Sequence, residues 1–144
     1  MFKKLVTSLL AVLLISGGSV MAASKKDSKG WDKVFPKSEK VDVKKVSFKN
    51  RFGIELVGDL YTPKTYKKGD KLAAIAVSGP FGAVKEQSSG LYAQIMAERG
   101  FITLAFDPSY TGESKGEPRY VASPDINTED FQAAVDFLSV QDKV

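Results

Sequence analysis

"LAAIAVSGPFGAVKEQSSGLYAQIMAERGFITLAF", Leu72 to Phe106, is bracketed by two apolar runs, "LAAIAV" (Leu72–Val77) and "FITLAF" (Phe101–Phe106). Neither run carries a charge. Short apolar runs bounded by turn residues suit strands buried on both faces. Between them, Leu91, Tyr92, Ile95 and Met96 recur close to a helical period. That spacing predicts a helix over about Gly90–Arg99 with this stripe inward. Ser88 or Ser89 is the expected cap, and Gly100 stands where a C′ glycine belongs. Strand, helix, strand in so short a span is a βαβ unit, expected to cross over right-handed.

Working outward, Val41–Phe48 and Ile54–Tyr61 read as two strands joined by a turn at "NRFG" (Asn50–Gly53), an antiparallel hairpin ended by Pro63. Lys64–Asp70 is a polar connection. After Phe106 comes a glycine-containing loop, "DPSYTGESKGEPR" (Asp107–Arg119). A second helix is expected over about Thr128–Ser139, capped by Asn127, with Phe131, Ala134, Val135 and Leu138 as its buried stripe. The class is α/β: a hairpin, then βαβα.

Composition narrows the chemistry. The chain has 144 residues and neither cysteine nor histidine. A disulfide framework, a thiolate zinc site and a cysteine nucleophile are excluded within it. So is a Ser-His-Asp triad built from these residues alone. No carboxylate cluster has metal-ligand spacing, and neither G-x-G-x-x-G nor G-x-x-x-x-G-K-[ST] is present. No metal and no cofactor are expected, and a Rossmann dinucleotide domain lacks its fingerprint.

The N-terminus reads as a targeting segment. Met1-Phe2-Lys3-Lys4 is a basic n-region, Leu5–Ile15 an apolar h-region, and Val20-Met21-Ala22 presents small residues at a cleavage position. Residues 1–22 are therefore expected to be a cleavable signal peptide, cut near Ala22, too short to span a membrane with confidence and leaving no stable membrane anchor. The expected location is periplasmic or secreted. Removing Lys3 and Lys4 lowers the net charge from +4 to +2. The lysines of residues 23–40 are interrupted by Asp27, Asp32 and Glu39 and carry few aromatics. They read as a solvated basic leader, and no nucleic-acid partner is expected. Residues 41–144 form the folded domain in this division.

Gly112-Glu113-Ser114-Lys115-Gly116 matches G-x-S-x-G, the nucleophile elbow of serine hydrolases. An elbow needs its serine on a tight turn entered from a strand and left into a helix. Here the apolar run stops at Phe106, and Lys115-Gly116-Glu117-Pro118 launches no helix of apolar period. With no histidine to activate the hydroxyl, Ser114 reads as part of a mobile surface turn.

The two loops carry a resemblance. "GPFGAVKEQ" (Gly79–Gln87) and "GLYAQIMAERGFITLAFDPSYTGESKGEPR" (Gly90–Arg119) resemble the N-terminal half of bacterial secreted α/β hydrolases of the dienelactone-hydrolase-like and acyl-peptidase-like branch. Those proteins carry P-x-G-x-x-K-E-Q after the third strand and G-E-S-x-G-E-P-R after the fourth. The resemblance runs over roughly Val41–Val144. It implies a partial α/β-hydrolase fold, a three-layer sandwich lacking its C-terminal half, with the fourth strand between the second and third. It places the elbow after a fifth strand, with acid and histidine later. The expectation is thus a fragment without a complete catalytic set, inactive alone. If completed, it would act on a small-molecule acyl substrate through an ester, thioester or amide bond. A small non-catalytic periplasmic binding protein is the alternative.

The resemblance also assigns roles. One oxyanion-hole N–H comes from the loop after the third strand, at Phe81 or Gly82; Pro80 has no N–H to give. Asp107 is a loop-organising residue that bonds backbone N–H groups of the turn after it, with Arg119 pairing to Asp107 or Glu113. Lys85 and Glu86 read either as a catalytic ion pair or, as adjacent charges at a helix start more often are, as solvent-facing residues or a local loop brace, and Tyr110 either lines a cleft or packs. The uncharged run Leu72–Val77 would lie at an open sheet edge, an expected route to self-association.

Overall fold

The computed structural model describes residues 30–144. The expected signal peptide and the first residues of the leader lie outside the described residues. Asp32–Val144 form one compact unit. Its elements in chain order are β1 (Val41–Lys49), β2 (Glu55–Pro63), β3 (Ala74–Val77), α1 (Ser88–Glu98), β4 (Ile102–Phe106) and α2 (Pro124–Ser139). This is the hairpin followed by βαβα.

The strands form one sheet in the order β1-β2-β4-β3. β1 and β2 are antiparallel, with Lys49 opposite Glu55 and Val41 opposite Pro63. β2 pairs antiparallel with β4, and β3 pairs parallel with β4. The fourth strand thus lies between the second and third, as the resemblance implies. β4 is buried along its whole length. β3 is shorter than the apolar run that encodes it and only half-buried, because β4 covers one of its two edges.

Side chains alternate across the sheet with the period of two that a strand imposes. Leu60, Ile102, Leu104 and Phe106 face Ala134 and Leu138 of α2. Tyr61 and Ala105 face Ala93 and Ala97 of α1. The helices therefore cover opposite faces, giving three layers. Phe48 stacks on Phe137 with ring centroids 5.0 Å apart, and Phe106 meets Phe131 edge-on at 5.1 Å.

The helices depart from the expected stripes. α1 buries Ser89, Gly90, Ala93, Gln94 and Ala97. Leu91, Tyr92 and Ile95 are instead 39%, 57% and 38% exposed. Small residues take the buried side: Ala93 and Ala97 pack on Tyr61 and Ala105 of the sheet, and Gly90 faces the loop and strap, where a Cβ would stand 2.2 Å from the Lys85 carbonyl oxygen and 3.0 Å from the Phe35 ring. Ser88 and Ser89 do not cap it; Gln87 is the N-cap, with no side-chain bond. The C-terminal expectation holds: Gly100 has φ +101 and donates to Ala97 O, while Phe101 N donates to Met96 O, a Schellman closure. α2 starts earlier than expected, with Ser123 as N-cap and Pro124 in the first turn, where a missing N–H costs nothing. It buries Glu129, Asp130, Ala133, Ala134 and Leu138, while Phe131 and Val135 stay partly exposed.

The end of the segment read as a solvated leader is docked. Phe35 is buried against Gly90. Val34 N donates to Glu86 O, Ser38 N to Gln94 Oε1, and Gln94 Nε2 returns a bond to Pro36 O. Lys33 Nζ lies 2.8 Å from the buried Asp59 carboxylate. These residues form a strap over α1.

Candidate functional site

The loops that follow β3 and β4 meet at the same end of the sheet, because parallel strands direct their C-terminal ends together. Asp107, the first residue after β4, is the centre. It is fully buried. Its Oδ1 accepts from Lys85 N at 2.7 Å, and its Oδ2 from Lys85 Nζ at 2.9 Å and Glu113 N at 3.0 Å. Its backbone N–H donates to Val57 O, and its carbonyl accepts from Ser114 Oγ at 2.6 Å. One carboxylate thus ties the loop before α1 to the turn six residues further on.

Lys85 is the partner. Its side chain is fully buried and its ammonium donates to Glu86 Oε1 at 2.6 Å, Asp107 Oδ2 at 2.9 Å and Glu113 Oε2 at 2.6 Å. Three donors meet three carboxylates, so the ammonium is saturated. Burial pulls its pKa down, but the bonds from Glu113, Glu86 and Asp107 outweigh this and hold it well above lysine's ordinary value. Lys45 on β1 also reaches Glu113, at 2.7 Å; it and then Lys85 hold the Glu113 carboxyl below the usual carboxylate range. The carboxylates of Glu86, Asp107 and Glu113 gather closely enough to suggest a cation site. The cation that sits among them is the Lys85 ammonium.

Ser114 is buried, not on a surface turn. Its Oγ donates to Asp107 O and accepts from Val57 N at 2.9 Å. A hydroxyl engaged on both sides is a structural bridge and presents nothing to a substrate. Arg119 does not pair with Asp107 or Glu113; its guanidinium donates to the carbonyls of Ser114 and Gly112, closing the loop through backbone. Tyr110 has φ +69 and packs its ring where a Cβ on Gly116 would stand, 2.5 Å away.

A second knot, missed in the sequence, fixes the hairpin turn. Asn50 Nδ2 donates to Asp130 Oδ1 at 2.9 Å and to Ser109 Oγ at 3.2 Å. Asp130 accepts in turn from Ser109 N and Ser109 Oγ, each at 2.8 Å. Arg51 N and Nε bond Glu129. The acidic pair at 129–130, on the buried side of a helix, is the one sign of it in the sequence.

The loop after β3 contrasts with all this. Ala83 N donates to Pro80 O at 3.0 Å and Gly82 has φ +80, a type II turn with glycine where one is required. Phe81 at its tip is 74% exposed. Among the described residues, the N–H groups of Phe81 and Gly82 have no protein acceptor. A cavity of about 30 Å³ lies between this tip and Pro108, Thr111, Val121 and Asn127. The structure thus brings Lys85, Glu86, Asp107 and Glu113 into one cluster, places Phe81 and Gly82 on the loop it anchors, and leaves Ser114 in the framework.

Comparison with known proteins supplies context. No family model matches the chain. It is 71% identical over 114 residues to the uncharacterised protein PA2218 of Pseudomonas aeruginosa, an alignment covering 79% of this chain and 30% of that protein. The crystal structure of PA2218 superposes with a TM-score of 0.77 at 68% identity, over 83% of this chain and 37% of that one. Thiohydrolase aneE of Aspergillus aculeatus is 33% identical over 104 residues, 72% of this chain and 31% of its own. The α/β hydrolase GrgF from Penicillium sp. sh18 gives a TM-score of 0.58 at 26% identity, covering 69% and 33%. The chain spans about a third of the length of the curated relatives it matches.

Proposed function

We propose, from the partial α/β-hydrolase fold these matches share, that residues 41–144 are the N-terminal part of a secreted α/β hydrolase of the dienelactone-hydrolase-like branch. The bond attacked is an ester, thioester or amide, and the molecule recognised is a small acyl compound. The observation that carries this reading is the pair of N–H groups at Phe81 and Gly82 that have no acceptor among the described residues, on a loop whose base is anchored to the end of β4. Preorganised N–H donors are what a developing oxyanion needs. The name of the thiohydrolase relative, over the same segment, supports an acyl substrate. The n-, h- and cleavage-region pattern of residues 1–22 supports export.

These residues alone supply no activated nucleophile. With Ser114 engaged on both sides and no histidine, the purified 144-residue chain is expected to turn over p-nitrophenyl acetate and an acyl thioester no faster than buffer. Turnover that disappeared in Ser114→Ala would overturn this. Sequencing past the Val144 codon tests the hydrolase reading itself: an apolar strand followed by G-x-C-x-G-G or G-x-S-x-G-G is expected in one frame, and its absence from all three removes the reading. β3 supports a second element of the proposal. Its outer edge is uncharged and has no strand partner among the described residues, so the chain by itself should self-associate. A monodisperse monomer by light scattering would count against that.

A further inference from the structure

The ten residues between β3 and α1 are attached to the rest of the domain mainly at their two ends. At the start, Ser78 Oγ donates to Phe106 O at 3.2 Å. At the far end, Lys85 N and Nζ both reach the Asp107 carboxylate. Both anchors sit on consecutive residues at the end of β4. Between them, Gly79–Val84 make two turn bonds, Ala83 N to Pro80 O and Gln87 N to Val84 O, each 3.0 Å, and one long bond from Val84 N to Gln87 Oε1 at 3.3 Å; all three stay within the loop. The tip that carries Phe81 and Gly82 is therefore slung from β4, and its height above the sheet follows from where Lys85 is held.

Lys85 is held without freedom. Its ammonium is saturated by three carboxylates on two different segments. Its carbonyl lies so close to Gly90 that a Cβ there would stand 2.2 Å away, so the backbone is fixed against α1 as well. A solvated lysine at this position would leave the second anchor to the Lys85 N–H on Asp107 and the neighbouring Val34 N–Glu86 O bond, and the tip would be held less closely.

We propose that Lys85 is a positioning residue for the oxyanion loop: its buried ammonium, clamped by Asp107, Glu113 and Glu86, sets the location of the Phe81 and Gly82 N–H groups. This rests on the proposed oxyanion role of that loop. Lys85 touches no substrate and passes no proton; it acts through the loop it anchors.

The test uses the ¹⁵N-labelled full chain and needs no catalysis. Lys85→Met is expected to shift the Phe81, Gly82 and Ala83 amide resonances and to speed exchange of the Ala83 amide on the order of tenfold, by opening the turn. Asp130→Asn, which loosens the equally buried knot at Asn50 and Ser109, is the control and should leave those resonances in place. Should Lys85→Met not fold, Glu113→Gln decides. It removes a half-exposed carboxylate from the same ammonium and should move the same resonances by less. Unmoved Phe81 and Gly82 amides in a folded variant, or equal displacement in Asp130→Asn, would overturn the proposal. Either result leaves the hydrolase reading standing, since that is decided by the sequence past Val144. Absence of the strand and elbow there, with the resonances displaced as expected, would remove the oxyanion role and keep the anchor.

Discussion

The loop after β3 and the loop after β4 look alike in sequence and behave as opposites. "SGPFGA" (Ser78–Ala83) and "TGESKG" (Thr111–Gly116) are both short, rich in glycine and supplied with serine. The second is sewn into the domain: Ser114 bridges Asp107 and Val57, Glu113 N reaches Asp107, and Arg119 closes it from outside. The first presents an exposed phenylalanine and two N–H groups without acceptors among the described residues. The glycines show the same division. A Cβ on Gly112 would meet Asp107 Oδ2 at 2.3 Å, whereas one on Gly82 would meet nothing within 4 Å. One loop is framework and the other is presented by it, and the motif that spells a nucleophile lies in the framework.

Substitutions should separate the two. Asp107→Ala is expected to have the largest effect. It takes from the Lys85 ammonium its one fully buried carboxylate, leaves the Lys85 and Glu113 N–H groups without their acceptor and frees both loops, and should cost about 3–5 kcal/mol, a large part of a small domain's stability. Urea unfolding followed by circular dichroism measures it. Gly112→Ala combines a left-handed backbone with overlap onto the Asp107 carboxylate and should cost about 2–4 kcal/mol. Ser114→Ala leaves the Asp107 carbonyl and Val57 N–H unpaired and should cost about 1–3 kcal/mol. Gly82→Ala should cost only about 1–2 kcal/mol, from its backbone angle. If Gly82→Ala destabilised as much as Gly112→Ala, the division between framework and presented loop would fail.

The smallest effect is that of pH. Glu113 has a lowered pKa in the fold, so its contribution is complete above the ordinary value near 4.5 and is lost as pH falls through the lowered one. Lys85 has a raised pKa, so its contribution is complete below about 10.5 and is lost as pH rises beyond that. Stability should therefore be level between those limits as far as this cluster is concerned. Urea midpoints from pH 7 to pH 3, compared between the native chain and Glu113→Gln, should converge at the acid end.

The strands were legible because uncharged runs such as "FITLAF" have few places in a domain other than a covered sheet; their order followed from the family resemblance alone. The hairpin was legible because Asn50–Gly53 offers the turn. Helix faces were not. α1 has large apolar residues on one side and small ones on the other, and periodicity alone favours the large; packing on the sheet selected Ala93 and Ala97, and the Lys85 carbonyl and Phe35 selected Gly90. Lys85 was legible only in part: the local brace to Glu86 forms, but its burial and its distant partners were not read. An adjacent Lys-Glu pair before a helix is ordinarily solvated, and nothing local signals partners 22 and 28 residues away. The lone hint was Asp107 at the end of an apolar strand, a charge that burial obliges to find a cation.

The strap at the start of the domain gives the order of assembly a direction. Ser38 and Pro36 reach Gln94 across sequence separations of 56 and 58 residues, and Phe35 rests where Gly90 leaves room. A chain emerging N-terminus first therefore makes its earliest residues wait. The hairpin can close on itself, since its partners are neighbours. The strap closes only after α1 has been delivered, and long closures are the slow ones. Until then the strap stays open while the hairpin has already formed. The same contacts, being long-range, are the first the finished domain should release when it begins to open from its N-terminal end.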